Sequence, residues 1–141
     1  MEAALRSPGV MVASDGVPFT NGRTHPRGVG TFARVLGRYA REQGTLDLMD
    51  ALARMTILPA RRLEEAVPAM RWKGRIQVGA DADLTVFDPA TVIDRSTFAE
   101  PAVASDGIEH VLVRGTFVVR DGALVEEARP GQGVRRRVIL P

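Results

Sequence analysis

The spacing of apolar residues changes once along this chain, and that change limits the folds open to it. Phe32, Val35, Leu36 and Tyr39 fall at i, i+3, i+4 and i+7, the stripe of an amphipathic helix, and Leu48, Leu52 and Met55 make a second such face. After Trp72 the period becomes two. Arg75-Ile76-Gln77-Val78 alternates, a turn covers residues 79–83, and Leu84-Thr85-Val86-Phe87 stops at Asp88-Pro89. Three further short runs, at residues 111–113, 116–119 and 124–125, are separated by Arg114-Gly115 and Asp121-Gly122, the dipeptides of tight hairpins. The first part therefore reads as helical and the second as all-β.

Finer expectations follow from the punctuation. Thr31 is placed to cap the first helix and Gly44 to end it, with Phe32 and Tyr39 in the core. Thr45 begins a second helix, and Pro59 opens a short third one running to Ala66. Residues 10–13 are apolar between Pro8-Gly9 and Ser14-Asp15-Gly16, which predicts one buried strand. Residues 17–30 hold Pro18, Gly22, Pro26, Gly28 and Gly30 without apolar period and read as a long ordered loop, while residues 90–107 read as irregular.

The chain has 141 residues, room for one ordinary domain and too few for a complete (β/α)8 barrel of about 250. With 45% hydrophobic residues and only 5% aromatic, it can bury a core that must be aliphatic. There is no cysteine, which excludes disulfides, thiolate ligands and cysteine nucleophiles. No long apolar stretch or secretion signal is present, so no membrane association is expected and a cytoplasmic location is the default. The net charge is only +2, and the arginines cluster at both ends without interleaved aromatics, so nucleic acid is not an expected partner and residues 129–141 read as a basic tail.

Asp15 is the first site candidate: it sits at the C-terminal end of the predicted strand, where it is either a turn residue before Gly16 or a catalytic carboxylate. Arg27 is either a solvated or ion-paired loop arginine or a bidentate clamp for a carboxylate. His25, beside Pro26, orients the loop or donates to a substrate. Asp81 and Asp83 have the spacing of metal ligands but lie in a turn after Gly79, and His110 precedes a strand, where packing or a surface hydrogen bond is expected.

Lys73-Gly74-Arg75-Ile76, Gly79, Ala82-Asp83-Leu84, Val86, Asp88-Pro89, Val111, Val113, Gly115 and Asp121-Gly122 together resemble the C-terminal signature of the amidohydrolase superfamily. Ala13-Ser14-Asp15-Gly16 with His25-Pro26-Arg27, Gly30-Thr31-Phe32, Arg34-Val35-Leu36 and Tyr39 resembles its D-aminoacylase, or N-acyl-D-amino-acid deacylase, branch. The resemblance covers residues 2 to about 130. It implies an α/β plus β fold: residues 1–72 as the end of a metal-dependent (β/α)8 barrel, with its last strand and helices, and residues 73–128 as part of a small β-sandwich. It also implies zinc-dependent hydrolysis of N-acyl-D-amino acids, with Asp15 as proton shuttle and possible metal ligand, and Arg27 and His25 binding the small-molecule substrate. The family's His-x-His pair is absent, so the chain is expected to be the C-terminal portion of a longer enzyme, with zinc in the complete protein and none held by this chain alone. Its expected partner is the missing barrel portion or a second copy, and the isolated chain is expected to be inactive. A dihydroorotase-like or hydantoinase-like segment and a non-catalytic interaction module are the alternatives.

Overall fold

A single packing seam decides how the helical and β parts meet. In the computed structural model, which describes residues 2–16 and 24–136, helix α1 (Glu2–Arg6) leads into an extended segment. Helix α2 (Arg27–Arg34) continues without a break as a π-helix (Val35–Glu42), and α3 (Leu48–Met55), α4 (Ile57–Leu63) and a 3-10 turn (Pro68–Trp72) follow. Four strands, β1 (Leu84–Phe87), β2 (Ile108–Val113), β3 (Thr116–Arg120) and β4 (Ala123–Leu124), form an antiparallel meander in that order. Among the described residues, no helix is long and apolar enough to cross a membrane.

The seam runs between the α2–π helix and the connection from β1 to β2. A Cβ added at Gly37 would lie 2.3 Å from the Val92 carbonyl oxygen, and one at Gly30 would lie 2.4 Å from Ser96 Oγ. At Gly37 the helix backbone lies directly on the opposing backbone, and at Gly30 the space is taken by the Ser96 and Asp94 side chains. Val92, 1% exposed, thereby joins Leu5, Ala33, Val35, Leu36, Leu46 and Ala51 in one aliphatic core, with Phe87 and Ile108 packed against it from the sheet.

Caps and turns follow the sequence closely in some places and depart from it in others. Gly44 ends the π-helix at φ +60° as expected, but α3 begins at Leu48 instead of Thr45, because Asp47 caps it by accepting from Asp50 N–H at 2.7 Å. Both hairpin turns take positive φ at two successive residues, Arg114 with Gly115 and Asp121 with Gly122, as a type I′ turn requires. Thr31, however, is not a cap. The helix begins four residues earlier, at Arg27, with Pro26 at its N-cap position, and the Thr31 hydroxyl donates to the Arg27 carbonyl at 2.7 Å. Phe32 lies off the docked face, which Gly30, Ala33, Leu36 and Gly37 form, and is 45% exposed, whereas Val35 and Leu36 are buried and Tyr39 packs against the core. Helix α4 likewise begins at Ile57 instead of Pro59.

Two predicted strands do not form as strands. Residues 10–13 are extended but unladdered: Val12 N–H donates to the Arg54 carbonyl, and the buried Arg54 guanidinium donates to the carbonyls of Ser7 at 2.9 Å and Val10 at 3.3 Å. Residues 75–78 bend between Gly74 and Gly79, both at positive φ, and leave Ile76 92% exposed. An alternating pattern becomes a strand only beside a partner, and none of the described strands pairs with either segment. Of the predicted loop at residues 17–30, residues 17–23 lie outside the described residues and residues 27–30 are helical.

The lysine of the C-terminal signature is a structural hub. Lys73 Nζ is 2.8 Å from Asp81 and 2.5 Å from Asp83, and the other Asp83 oxygen accepts from Arg114 N–H at 2.8 Å, tying the 73–83 turn to the β2–β3 hairpin. Hydrogen bonds that the Lys73 ammonium donates to Asp81 and Asp83 raise the Lys73 pKa, and Lys73 holds the Asp83 carboxyl below the usual carboxylate range. Asp81 and Asp83 thus follow the turn at residues 77–80 and serve as partners of Lys73.

Two outcomes are expected. Gly37→Ala should destabilise the fold by about 1–3 kcal/mol through overpacking, despite alanine's better helix propensity, while Gly131→Ala, which meets nothing within 4 Å, should be neutral in urea unfolding. The Asp83 contribution is present above the unfolded carboxyl value of about 3.9 and lost as pH falls through the lower folded value; that of Lys73 is present below about 10.4 and lost as pH rises past it. Lys73→Met should therefore flatten the stability profile at both extremes, and an unchanged acid limb would refute the Asp83 assignment.

Candidate functional site

A cleft of about 580 Å³ opens between the extended segment after α1, the start of α2 and residues 94–98, and its wall includes Asp15, His25, Arg27, Thr31 and Phe98. All three sequence-derived site residues, Asp15, His25 and Arg27, meet there. Asp15 stands at φ +46°, next to Gly16, with its side chain largely exposed. Gly16 and Gly28 face each other closely: a Cβ on Gly16 would lie 3.4 Å from Gly28 Cα, which keeps Asp15 beside the first turn of α2.

Arg27 reaches back across this contact. Its Nη2 is 2.8 Å from Asp15 Oδ2, and its Nε donates to the Asp15 backbone carbonyl at 3.0 Å. These contacts engage two of the five guanidinium donors and hold the fork at the cleft surface. The Arg27 backbone N–H donates to His25 Nδ1 at 3.1 Å, so in the neutral imidazole the hydrogen is carried on Nε2. The His25 ring meets Phe98 edge to face, with centroids 5.0 Å apart and planes at 82°.

The far wall comes from the irregular connection between β1 and β2, which sequence reasoning left without a role. Ser96, 3% exposed, donates to the Pro26 carbonyl at 3.0 Å. Arg34 donates from Nε to Asp94 Oδ2 at 2.9 Å and brings Nη2 to 2.7 Å, while the Asp94 side chain is only 5% exposed. Further along the helix, Arg41 donates to the Val92 carbonyl at 2.6 Å. The available signals were the seven-residue interval from Gly30 to Gly37 on one helix face and the alternation of Asp94, Ser96 and Phe98. His110 lies away from the cleft wall; its Nδ1 accepts from Asp121 N–H at 3.1 Å and its ring packs on Phe117. Among the described residues, no three His, Asp or Glu side chains converge in a way that could hold a metal ion.

The model of the amidohydrolase family matches residues 3–119. The chain belongs to that family. Within it, the similarity is to the D-aminoacylase branch. The chain is 49% identical over 126 residues to N-acyl-D-glutamate deacylase of Alcaligenes xylosoxydans xylosoxydans, covering 89% of this chain and 24% of the relative. It is 45% identical over 113 residues to D-aminoacylase of the same organism, covering 80% of this chain and 22% of the relative. The crystal structure of N-acyl-D-glutamate deacylase from Bordetella bronchiseptica, complexed with zinc and a phosphonate mimic of the tetrahedral intermediate, superposes with a TM-score of 0.79 at 47% identity. That superposition covers 95% of this chain and 27% of the neighbour. The chain thus spans about a quarter of the length of the relatives it matches.

The two ion pairs at the cleft should differ in weight. Arg34→Met leaves the buried Asp94 carboxylate without its charged donor and should cost about 1–3 kcal/mol, part of which Asp94→Asn in the same chain recovers. Arg27→Met breaks an exposed pair and should cost less than about 1 kcal/mol. Urea unfolding of the three variants measures the difference.

Proposed function

We propose that this chain supplies the C-terminal part of a zinc-dependent deacylase of N-acyl-D-amino acids, residues 1–72 ending a (β/α)8 barrel and residues 73–128 forming part of a small β-sandwich. The observation that carries this reading is the pairing of Asp15 with Arg27 at 2.8 Å in a cleft, within a chain so similar to two N-acyl-D-amino-acid deacylases.

Amide hydrolysis needs a group that takes a proton from the attacking water and delivers one to the leaving nitrogen, and a positioned carboxylate does both. Asp15 is the carboxylate this chain brings to the cleft. An acylated amino acid also presents a free carboxylate, for which a planar guanidinium with unused donors is the matched receptor. Arg27 fills that role, with His25 Nε2–H as a neutral donor on the same wall. The described residues do not form a zinc site by themselves, because Asp15 has no second and third ligand beside it and His25 Nδ1 is already occupied by the Arg27 amide. Most of the metal ligation therefore falls to residues outside this chain, and the chain alone does not catalyse.

The test joins this chain to the upstream three quarters of an N-acyl-D-glutamate deacylase and follows steady-state hydrolysis of an N-acyl-D-amino acid. The isolated chain should show no turnover with added zinc, whereas the joined protein should. In the joined protein, Asp15→Asn should lower kcat at least about a hundredfold. Arg27→Ala should raise KM more than it lowers kcat, and should spare the matching acyl amine, which lacks the carboxylate. Turnover by the isolated chain, or equal loss on both substrates with Arg27→Ala, would sink the assignment.

A further inference from the structure

The peptide unit between Pro26 and Arg27 is held at both of its ends. Its carbonyl accepts from Ser96 Oγ at 3.0 Å, and its N–H, the Arg27 amide, donates to His25 Nδ1 at 3.1 Å. Gly30 N–H at 2.9 Å and Val29 N–H at 3.2 Å reach the same carbonyl from within α2, so Ser96 is a further donor, brought from the other side of the seam. Ser96 is 3% exposed, and its hydroxyl has room because Gly30 lacks a side chain: a Cβ there would lie 2.4 Å from Ser96 Oγ. Arg34 on the buried Asp94 carboxylate fixes the segment from which Ser96 reaches. None of these contacts depends on open surface.

Burying a hydroxyl costs free energy that an alanine at the same place would not incur, so a serine here calls for a reason beyond packing. A trans peptide is planar with its C=O and N–H pointing in opposite directions, and a donor that fixes the oxygen also fixes the direction of the N–H. Hydrogen bonds in a chain polarise one another, so a carbonyl that accepts strongly makes its own N–H the better donor. At the far end that N–H meets an imidazole nitrogen, which accepts only when it carries no hydrogen. The chain from Ser96 through the peptide to His25 Nδ1 thus favours one neutral form of the ring, with the hydrogen on Nε2.

We propose that Ser96 is a positioning residue: through the Pro26–Arg27 peptide it holds His25 in the form with its hydrogen on Nε2, ready to donate at the cleft. The consequence for catalysis rests on the reading of His25 as a neutral donor to an N-acyl amino acid, and the inference adds the residue that sets that donor. His110 provides a comparison within the same chain. Its Nδ1 also accepts a backbone N–H, from Asp121 in the β3–β4 turn, with no part played by Ser96.

The 141-residue chain, isotopically labelled at its histidine ring nitrogens, is observed by NMR about two pH units above the ordinary histidine value of about 6.5. Both imidazoles are then neutral, and the ring-nitrogen shifts give the ratio of the two forms. His25 should be predominantly the Nε2–H form. Ser96→Ala should lower its ratio of Nε2–H to Nδ1–H at least about twofold, the low end of what one hydrogen bond contributes, and leave the His110 ratio unchanged. Gly30→Ala, which puts a methyl where Ser96 Oγ sits, should reproduce the shift, whereas Gly37→Ala, which strains the same seam at Val92, should not. In the protein joined to the upstream part of a deacylase, Ser96→Ala should lower kcat/KM, but should cause little further loss in a His25→Ala background. An Nδ1–H form dominating in the wild type, an unchanged His25 ratio in both Ser96→Ala and Gly30→Ala, or an equal change in Gly37→Ala overturns the inference, as does a kcat/KM loss that adds fully to that of His25→Ala. If the ratio shifts as expected but His25→Ala leaves turnover intact, Ser96 still positions the ring, and the reading of His25 as a substrate donor is what falls.

Discussion

The rest of the structure depends on the contact between the α2–π helix and the chain at residues 89–96. Gly37 lets the helix backbone meet the Val92 and Ile93 backbone and Gly30 leaves room for the Ser96 and Asp94 side chains, and the approach they permit buries Val92 in the aliphatic core. Once polar backbone is pressed into such a seam, it must be matched or it costs free energy. Arg41 on the Val92 carbonyl, Ser96 on the Pro26 carbonyl and Arg34 on Asp94 provide the matching. The core is thus continuous from α1 through the helices to the first two strands.

The same seam places the candidate site. Arg27 opens the helix that Gly30 and Gly37 dock, and His25 precedes it by two residues, so the orientation of the helix fixes both. The connecting segment fixed on the other side of the seam brings Phe98 to His25. The charges divide into two kinds. Arg34 with Asp94 and Arg54 with the carbonyls of Ser7 and Val10 are part-buried and hold elements together. Arg27 with Asp15 is exposed, where an ion pair contributes little to stability and its groups remain able to exchange partners.

The family and its D-aminoacylase branch were legible in the linear motifs, and the matches over residues 3–119 agree. Structure gives many of those motif residues local reasons. Lys73 and Asp83 tie a turn to a hairpin, Gly74 lies where a Cβ would meet the Thr56 carbonyl at 2.5 Å, and Asp121-Gly122 makes a type I′ turn. The site was legible in part: Asp15, His25 and Arg27 were named from the chain and share one cleft, but Asp94, Ser96 and Phe98 were not. Their segment has no apolar period, and its partners lie about 60 to 70 residues away in sequence, as with Arg34 to Asp94 and Pro26 to Ser96.

By itself the sequence determined the elements whose causes are local. Periodicity marked the helices and the meander, Gly44 marked a helix end, and glycine dipeptides marked the hairpins, because helix termination and positive φ are properties of a few adjacent residues. Only the tertiary structure decided which apolar faces were buried and which extended runs became strands. Phe32 is exposed because the helix presents its Gly30 and Gly37 face to its neighbour. Residues 10–13 and 75–78 carry strand patterns without ladders, because strand pairing requires a second chain segment at the right place and the described residues offer none.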